Sequence, residues 1–285
     1  MSLNTAPVTA ATAATVCECG CNTRTRRYGS DTTDAQWAIL APMLPIPART
    51  GRPEKHHRRA VLDAIFYLVD NGVRWRDLPC DFPPWKTVYG FLVRWCDQLT
   101  AVNLVEQLRQ RLRVAAGRNR TASAGCIDAQ SVRESADAVV PAATSGFDAF
   151  KRVNGRKRHI IVDTLGLLVC VCATPASTRD PDGAYALVEH AALHGIGHIW
   201  TDRSYHGDLI RWAEQTHGIT IEVVERPKGQ GFKLLPRRWV VERTFAWISR
   251  RRRCARDYER LPEHHETMVY LAAALQMSRR AARLT

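Results

Sequence analysis

At Ala124 the spacing of apolar residues changes, and that change limits the fold more than any other feature of the chain. Upstream, apolar residues recur at helical intervals: Val61, Ile65, Phe66 and Val69 in one stretch, Leu104, Leu108 and Leu112 in another. Downstream, AGCIDAQSV (124–132), RKRHIIVD (156–163) and LLVCVCA (167–173) read as strands, the last two joined as a hairpin through Thr164-Leu165-Gly166. Asp180-Pro181 then starts a helix that Gly195 ends, and HIWTD (198–202) is a short strand closing on Asp202. A helix over 207–217, the strand ITIEVVE (219–225), the loop KGQG and two further helices complete the order. Three antiparallel strands followed by alternating helices and strands build a mixed sheet covered by helices, an α/β fold. The expected organisation is a loose Ala- and Thr-rich tail (1–30), a small all-helical domain (31–118) and an α/β domain with C-terminal helices (119–285).

The 285 residues leave room for this plan, and a hydrophobic content of 45% suffices for a real core. A formal net charge of +13, with arginine dominating, favours a polyanionic partner. Nucleic acid fits better than a membrane surface, because no basic amphipathic anchor or long apolar span is present. The basic helical domain suits a helix-turn-helix reader of DNA. The nine cysteines form no compact framework, and Cys80, Cys96, Cys126, Cys170, Cys172 and Cys254 read as small buried hydrophobes in a reducing cytoplasm. Cys17, Cys19 and Cys21 lack a second Cys/His cluster at zinc spacing, and no leucine-rich run marks a secretion signal.

RRWVVERTFAWISRRRR (237–253) follows Pro236 and reads as one continuous helix. Val241, Phe245 and Ile248 set its apolar face. Glu242 sits at the border of that face, with Arg238 one turn before it and Ser249 nearly in line two turns after. A lone carboxylate among so many arginines fits either an ion-paired surface helix or a metal ligand held over a polyanion. Asp128, Asp202 and Glu242 each lie in or beside an apolar segment, where an unpaired carboxylate is costly. Three such acids suit hard ions such as magnesium, and a pair of ions serves phosphodiester cleavage by steadying attacking and leaving oxygens. Asp163, also in a β-rich run, reads as an ion-paired structural acid. Arg238, Arg243 and Arg250 are candidate DNA contacts, as are Lys157 and Arg158 at the start of the second strand. His159, His206, His56-His57, His264-His265 and the KGQG loop are weaker candidates for phosphate or metal.

The segments GRPEKHHRRAVLDAIFYLVDNGVRWRDLP, IDAQSV, GRKRHIIVDTLGLL, TDRSYHG and PRRWVVERTFAW carry a resemblance, the last most specifically. From about residue 31 to 275 the chain resembles an insertion-sequence transposase of the Asp-Asp-Glu class, insertion-sequence-five type. The resemblance implies a ribonuclease H-like catalytic domain in which the first strand sits centrally, beside the strand ending at Asp202. It assigns the acids to Asp128, Asp202 and Glu242, and makes Arg238 a residue that contacts DNA or carboxylate. It implies dependence on Mg2+, two ions per site with Mn2+ able to substitute, and binding, cleavage and strand transfer at the element's own ends. Double-stranded DNA is the implied partner, and a homodimer is expected because two ends must meet. Leu235 stands where the family often has Tyr, and Ser249, next to Arg250, where it often has Lys. Arg203-Ser204-Tyr205 replaces the commoner Lys-Gly-Tyr. The competing reading is a transposase-derived DNA-binding protein or repressor that holds DNA without cutting it.

Overall fold

The computed structural model describes residues 25–47, 53–136, 140–224 and 238–284. The expected tail to residue 24 with Cys17, Cys19 and Cys21, the KGQG loop, and Leu235, Pro236 and Arg237 lie outside them. The first helix, α1 (Asp34–Leu40), opens with a reciprocal cap in which Thr33 accepts from the Gln36 N–H at 3.1 Å and Gln36 accepts from the Thr33 N–H at 3.0 Å. Helix α2 (Arg58–Asn71) ends at Gly72, followed by α3 (Trp85–Asp97) and α4 (Thr100–Ala115). Their inward stripes are the expected ones: Val61, Ile65, Leu104 and Leu108 are all buried.

The sheet is built from β1 (Ala124–Arg133), β2 (Gly146–Asp148), β3 (Val153–Asp163), β4 (Leu168–Pro175), β5 (His198–Thr201) and β6 (Thr220–Val223). Its order is β2-β3-β1-β5-β6, with β4 pairing the part of β3 that follows β2. β1 and β3 are antiparallel, whereas β1–β5 and β5–β6 are parallel. Parallel pairing requires crossovers, which α5 (Asp180–Leu193) and α6 (Asp208–His217) supply. Both cover one face, where Ile127, Ile161 and Ile199 join Leu187 and Leu209. Because side chains alternate along a strand, Cys126, Ile160 and Trp200 point to the other face. That face packs against α7 (Trp239–Ser249), α8 (Arg252–Ala255) and α9 (Pro262–Ala281), in one continuous core with α1 to α4.

Buried ion pairs tie these layers. Asp163, fully buried, meets Arg113 of α4 at 2.7 Å, as expected of a structural acid. Arg156 and Asp257, both fully buried, meet at 2.9 Å and fix the segment before α9 to β3. Among the described residues no helix is long and apolar enough to cross a membrane.

The arginine stretch is not one continuous helix. It stops at Ser249, Arg251 is extended (φ −81°, ψ 117°), and a short helix resumes at Arg252. The tertiary partners account for the break. Arg251 reaches Asp70 of α2 at 2.6 Å, and Arg253 turns inward to Glu259 at 2.7 Å and the Val73 carbonyl at 3.2 Å. Consecutive arginines thus point to different partners, which an uninterrupted helical run of like charge does not offer.

Candidate active site

Asp128 lies mid-way along β1, on the face shared with Cys126 and therefore toward α7. The β1–β5 register pairs Cys126 with Trp200, and two residues further along it sets Asp128 beside Asp202. Strands in this direction are about 4.8 Å apart, so the carboxylates of Asp128 and Asp202 are neighbours on one face. Asp202 is held where β5 ends: its Oδ1 accepts the Ser204 N–H at 2.8 Å and the Ser204 hydroxyl, a turn that aims the second oxygen away from the loop.

Helix α7 supplies the third acid. Val240, Val241, Phe245 and Ile248 press its apolar side onto the sheet, leaving Glu242 more than half exposed at its first turn. Two side chains seat the helix on the β3–β4 turn: Thr244 donates to the Gly166 carbonyl at 2.8 Å and Arg243 to the Leu165 carbonyl at 3.0 Å. Gly166 has φ +75°, and a Cβ there would come within 2.8 Å of Arg243, so the turn admits glycine and little else.

Arg238, just before α7, joins the acids. Its guanidinium lies 3.4 Å from Asp202 and 3.9 Å from Glu242, with only 12% of the side chain exposed. Burial pushes the Asp128 carboxyl up to about 6; the Ala129 N–H opposes that rise, neighbouring Asp202 adds to it, and Arg238 and Lys151 oppose it. Lys151, on the β2–β3 hairpin, approaches β1 through a 3.3 Å contact with the Ala129 carbonyl. Nothing in the sequence marks Lys151, because the hairpin that brings it in includes a three-residue strand too short to read from spacing. Tyr205 is fully buried behind the acids, and its hydroxyl has no hydrogen-bond partner among the described residues. Burial, with the charges of Asp128, Asp180 and Asp202, raises its pKa well above the ordinary tyrosine value.

The donor set fits a hard divalent cation: adjacent carboxylates, one of them held ionised at a cost, on a face covered by a basic helix. Among the described residues, however, no three His, Cys, Asp or Glu stand close enough to hold one ion together. Arg238 occupies the ground between Asp202 and Glu242, and its charge reaches both.

Two expected DNA contacts are corrected. β3 begins at Val153, so Lys157 and Arg158 lie inside the strand and both are buried. Lys157 is bound to Asp180 at 2.9 Å and the Thr178 carbonyl at 2.7 Å. Arg158 donates to Gln130, to Ser249 at 2.9 Å and to the Cys254 carbonyl at 2.9 Å, fastening the far end of α7 to β1 and β3. Arg243 is half-buried between Trp239 and Trp247, its guanidinium carbon 4.1 and 4.6 Å from the two ring centroids. Arg250 is exposed at the end of α7. His159 is buried against Thr174, and His264 and His265 are buried, whereas His206 is exposed.

Residues 32–105 match a family model described as "Putative transposase of IS4/5 family", and residues 119–277 match the "Transposase DDE domain". Over 130 residues, 42% of this chain, the sequence is 30% identical to a protein of Burkholderia cepacia described as "Putative transposase for insertion sequence element IS402". That alignment spans 62% of the relative's length. No solved structure matches the chain significantly.

Proposed function

The chain belongs to the family of transposases that carry the DDE domain, and from that membership we propose that it binds the terminal inverted repeats of an insertion sequence and cuts and joins DNA at the element's ends. The observation that carries the reading is the placement of Asp128 on β1 and of Asp202 just past the end of the adjacent parallel strand β5, with Arg238 reaching Asp202 and Glu242 together. Water attacks the phosphodiester at an end, forming a new P–O bond and releasing the 3′-hydroxyl as leaving group. That hydroxyl then attacks a target phosphodiester in line, joining element to target and expelling the target's own 3′-oxygen.

The family's divalent cation, Mg2+ in this reading with Mn2+ as substitute, would be held by Asp128, Asp202 and Glu242 drawn closer together than they stand here, and when bound would supply activation of the attacking oxygen and countercharge for the leaving one. Arg238 orients Asp202 and Glu242 and is placed to meet the scissile phosphate. Arg250 meets the DNA backbone beyond the acids. The helical region of residues 31–118 contributes DNA binding, two copies bring two ends together, and the reaction takes place in the cytoplasm.

The alternative, a repressor or decayed copy that holds DNA without cutting, draws on one observation: Arg238 already pairs with both Asp202 and Glu242. A supercoiled plasmid carrying the element's ends separates the two. The transposase yields cut and joined products with Mg2+. Asp128→Asn, Asp202→Asn and Glu242→Gln each abolish them while end binding persists. Bound ends without any product at any divalent ion would leave the repressor reading.

A further inference from the structure

A hollow of about 720 Å³ opens between the turn at Arg74 to Asp77, the start of α3 and the segment following α8. It is lined from both matched segments, residues 74–89 from the first and 253–264 from the second. Its walls are aromatic. Trp75 stands edge-to-face against Tyr89, with centroids 5.1 Å apart. Arg253, buried and held by Glu259 at 2.7 Å, spreads over Tyr258 at 4.9 Å and Trp75 at 6.0 Å. Trp85 is half-buried across the hollow, with the Arg76 guanidinium carbon 5.8 Å from its centroid. Arg74, Arg76 and Arg260 are exposed at the rim, where Asp77 is the single exposed carboxylate among the lining residues.

We infer that this hollow takes one unstacked nucleobase of a DNA strand, its ring against Trp85 and Tyr258 and its flanking phosphates against the arginine rim. The inference rests on the proposal that the chain acts on DNA. The volume is in the range of pockets for small flat molecules, roughly 300–1,000 Å³. Ring faces flanked by guanidinium groups suit a base and its phosphates, a combination that single-strand-binding sites use without regard to sequence. A base within a duplex has both faces covered by its neighbours, so only one that has left the stack offers a face to tryptophan. Glu259 does not oppose the phosphates, since Arg253 neutralises it.

The test uses the full chain and fluorescence anisotropy on three labelled probes: an oligothymidylate, an abasic strand of equal length and a duplex. The wild-type chain is expected to bind the oligothymidylate about tenfold or more tighter than the abasic strand, in keeping with base–aromatic stacking. Trp85→Ala and Trp75→Ala should bring the two strands to near parity without changing duplex affinity, while Trp85→Phe keeps the preference. Circular dichroism confirms that each variant is folded. Equal affinity of the wild-type chain for the two strands overturns the inference, as does a preference that survives both alanine variants. Thymidine monophosphate, titrated separately, distinguishes the source of the base: tight Trp85-dependent binding of the free nucleotide, with no gain from the strand, makes this a nucleotide pocket and overturns the DNA assignment. Failure to bind duplex at low salt instead defeats the proposed function, which the comparison of single strands does not read.

Discussion

Asp128 and Asp163 are acids on strands that pair with each other, and exchanging each for its amide should separate a functional carboxylate from a structural one. Asp163 is fully buried, meets Arg113 at 2.7 Å, and accepts the N–H groups of Leu165 and Leu167 at 2.9 Å each. Opposite charges about 4 Å apart interact by about 4 kcal/mol at an effective dielectric constant of 20, and removing one partner of a buried pair costs about 3–5 kcal/mol. Asp163→Asn keeps the side chain's shape and leaves Arg113 buried without its partner charge. The expected loss of unfolding free energy is therefore about 3–4 kcal/mol, with cleavage by the folded fraction retained within a few-fold. Asp128→Asn should do the reverse. Burial raises that carboxyl to about 6, so its ionised form is held at a cost, and removing the charge leaves stability at neutral pH unchanged or higher while cleavage disappears. Urea melts followed by circular dichroism give the stabilities. A cycle combining Asp163→Asn with Arg113→Met should show a coupling of at least about 2 kcal/mol. Simple additivity would refute the reasoning for the ion pair, and an unfolded Asp128→Asn would refute Asp128 as a site acid.

The parts of this architecture legible in the sequence are those that local chemistry decides. Strand alternation and turn residues mark β1, β3, β4 and β5, and the resemblance implies that β1 sits beside β5, the pairing that sets Asp128 next to Asp202. The parts that were not legible depend on partners remote in the chain. RKRH at 156–159 reads as a charged strand end, yet all four are buried, because the strand is covered on both faces and Asp257, Asp180, Gln130 and Thr174 reach in from elsewhere. The arginine run looks like a helix until Asp70, on α2, draws Arg251 out of it. A buried cation and a solvated one have the same letter in the sequence. Only the count of acceptors around each side chain distinguishes them, and Lys151 beside Asp128 shows the same limit from the other direction.

Three further outcomes follow from these contacts. Burial pushes His159 down to about 4 from an ordinary 6.5, so in the unfolded chain this imidazole binds more protons between those values; its contribution to stability should rise with pH across that window, be complete above about 6.5, and be lost by about 3 kcal/mol as pH falls through it. Asp128, raised to about 6, and Glu266, raised to about 7, contribute the opposite slope over the same range, so urea melts from pH 4 to 7.5 read the His159 contribution as the difference between the wild type and His159→Gln. Gly183→Ala gains about 1 kcal/mol of helix propensity, but its methyl would stand 2.2 Å from His159 Nε2, and overpacking of a buried site costs about 1–3 kcal/mol or more; thermal melts should show net destabilisation, and a more stable variant would mean that His159 moves aside freely. The contrast between exposed Arg250 and buried Lys157 is read from the salt dependence of duplex binding. Each phosphate contact contributes about 0.9 to the log–log slope, so Arg250→Ala, which removes an exposed charge, should flatten the slope by about that amount. Lys157→Met removes a charge already bound to Asp180 and the Thr178 carbonyl, and a folded preparation should keep the wild-type slope even if it is less stable. Equal flattening by the two variants would mean that Lys157 leaves its buried partners to meet DNA, and that β3 opens when the duplex binds.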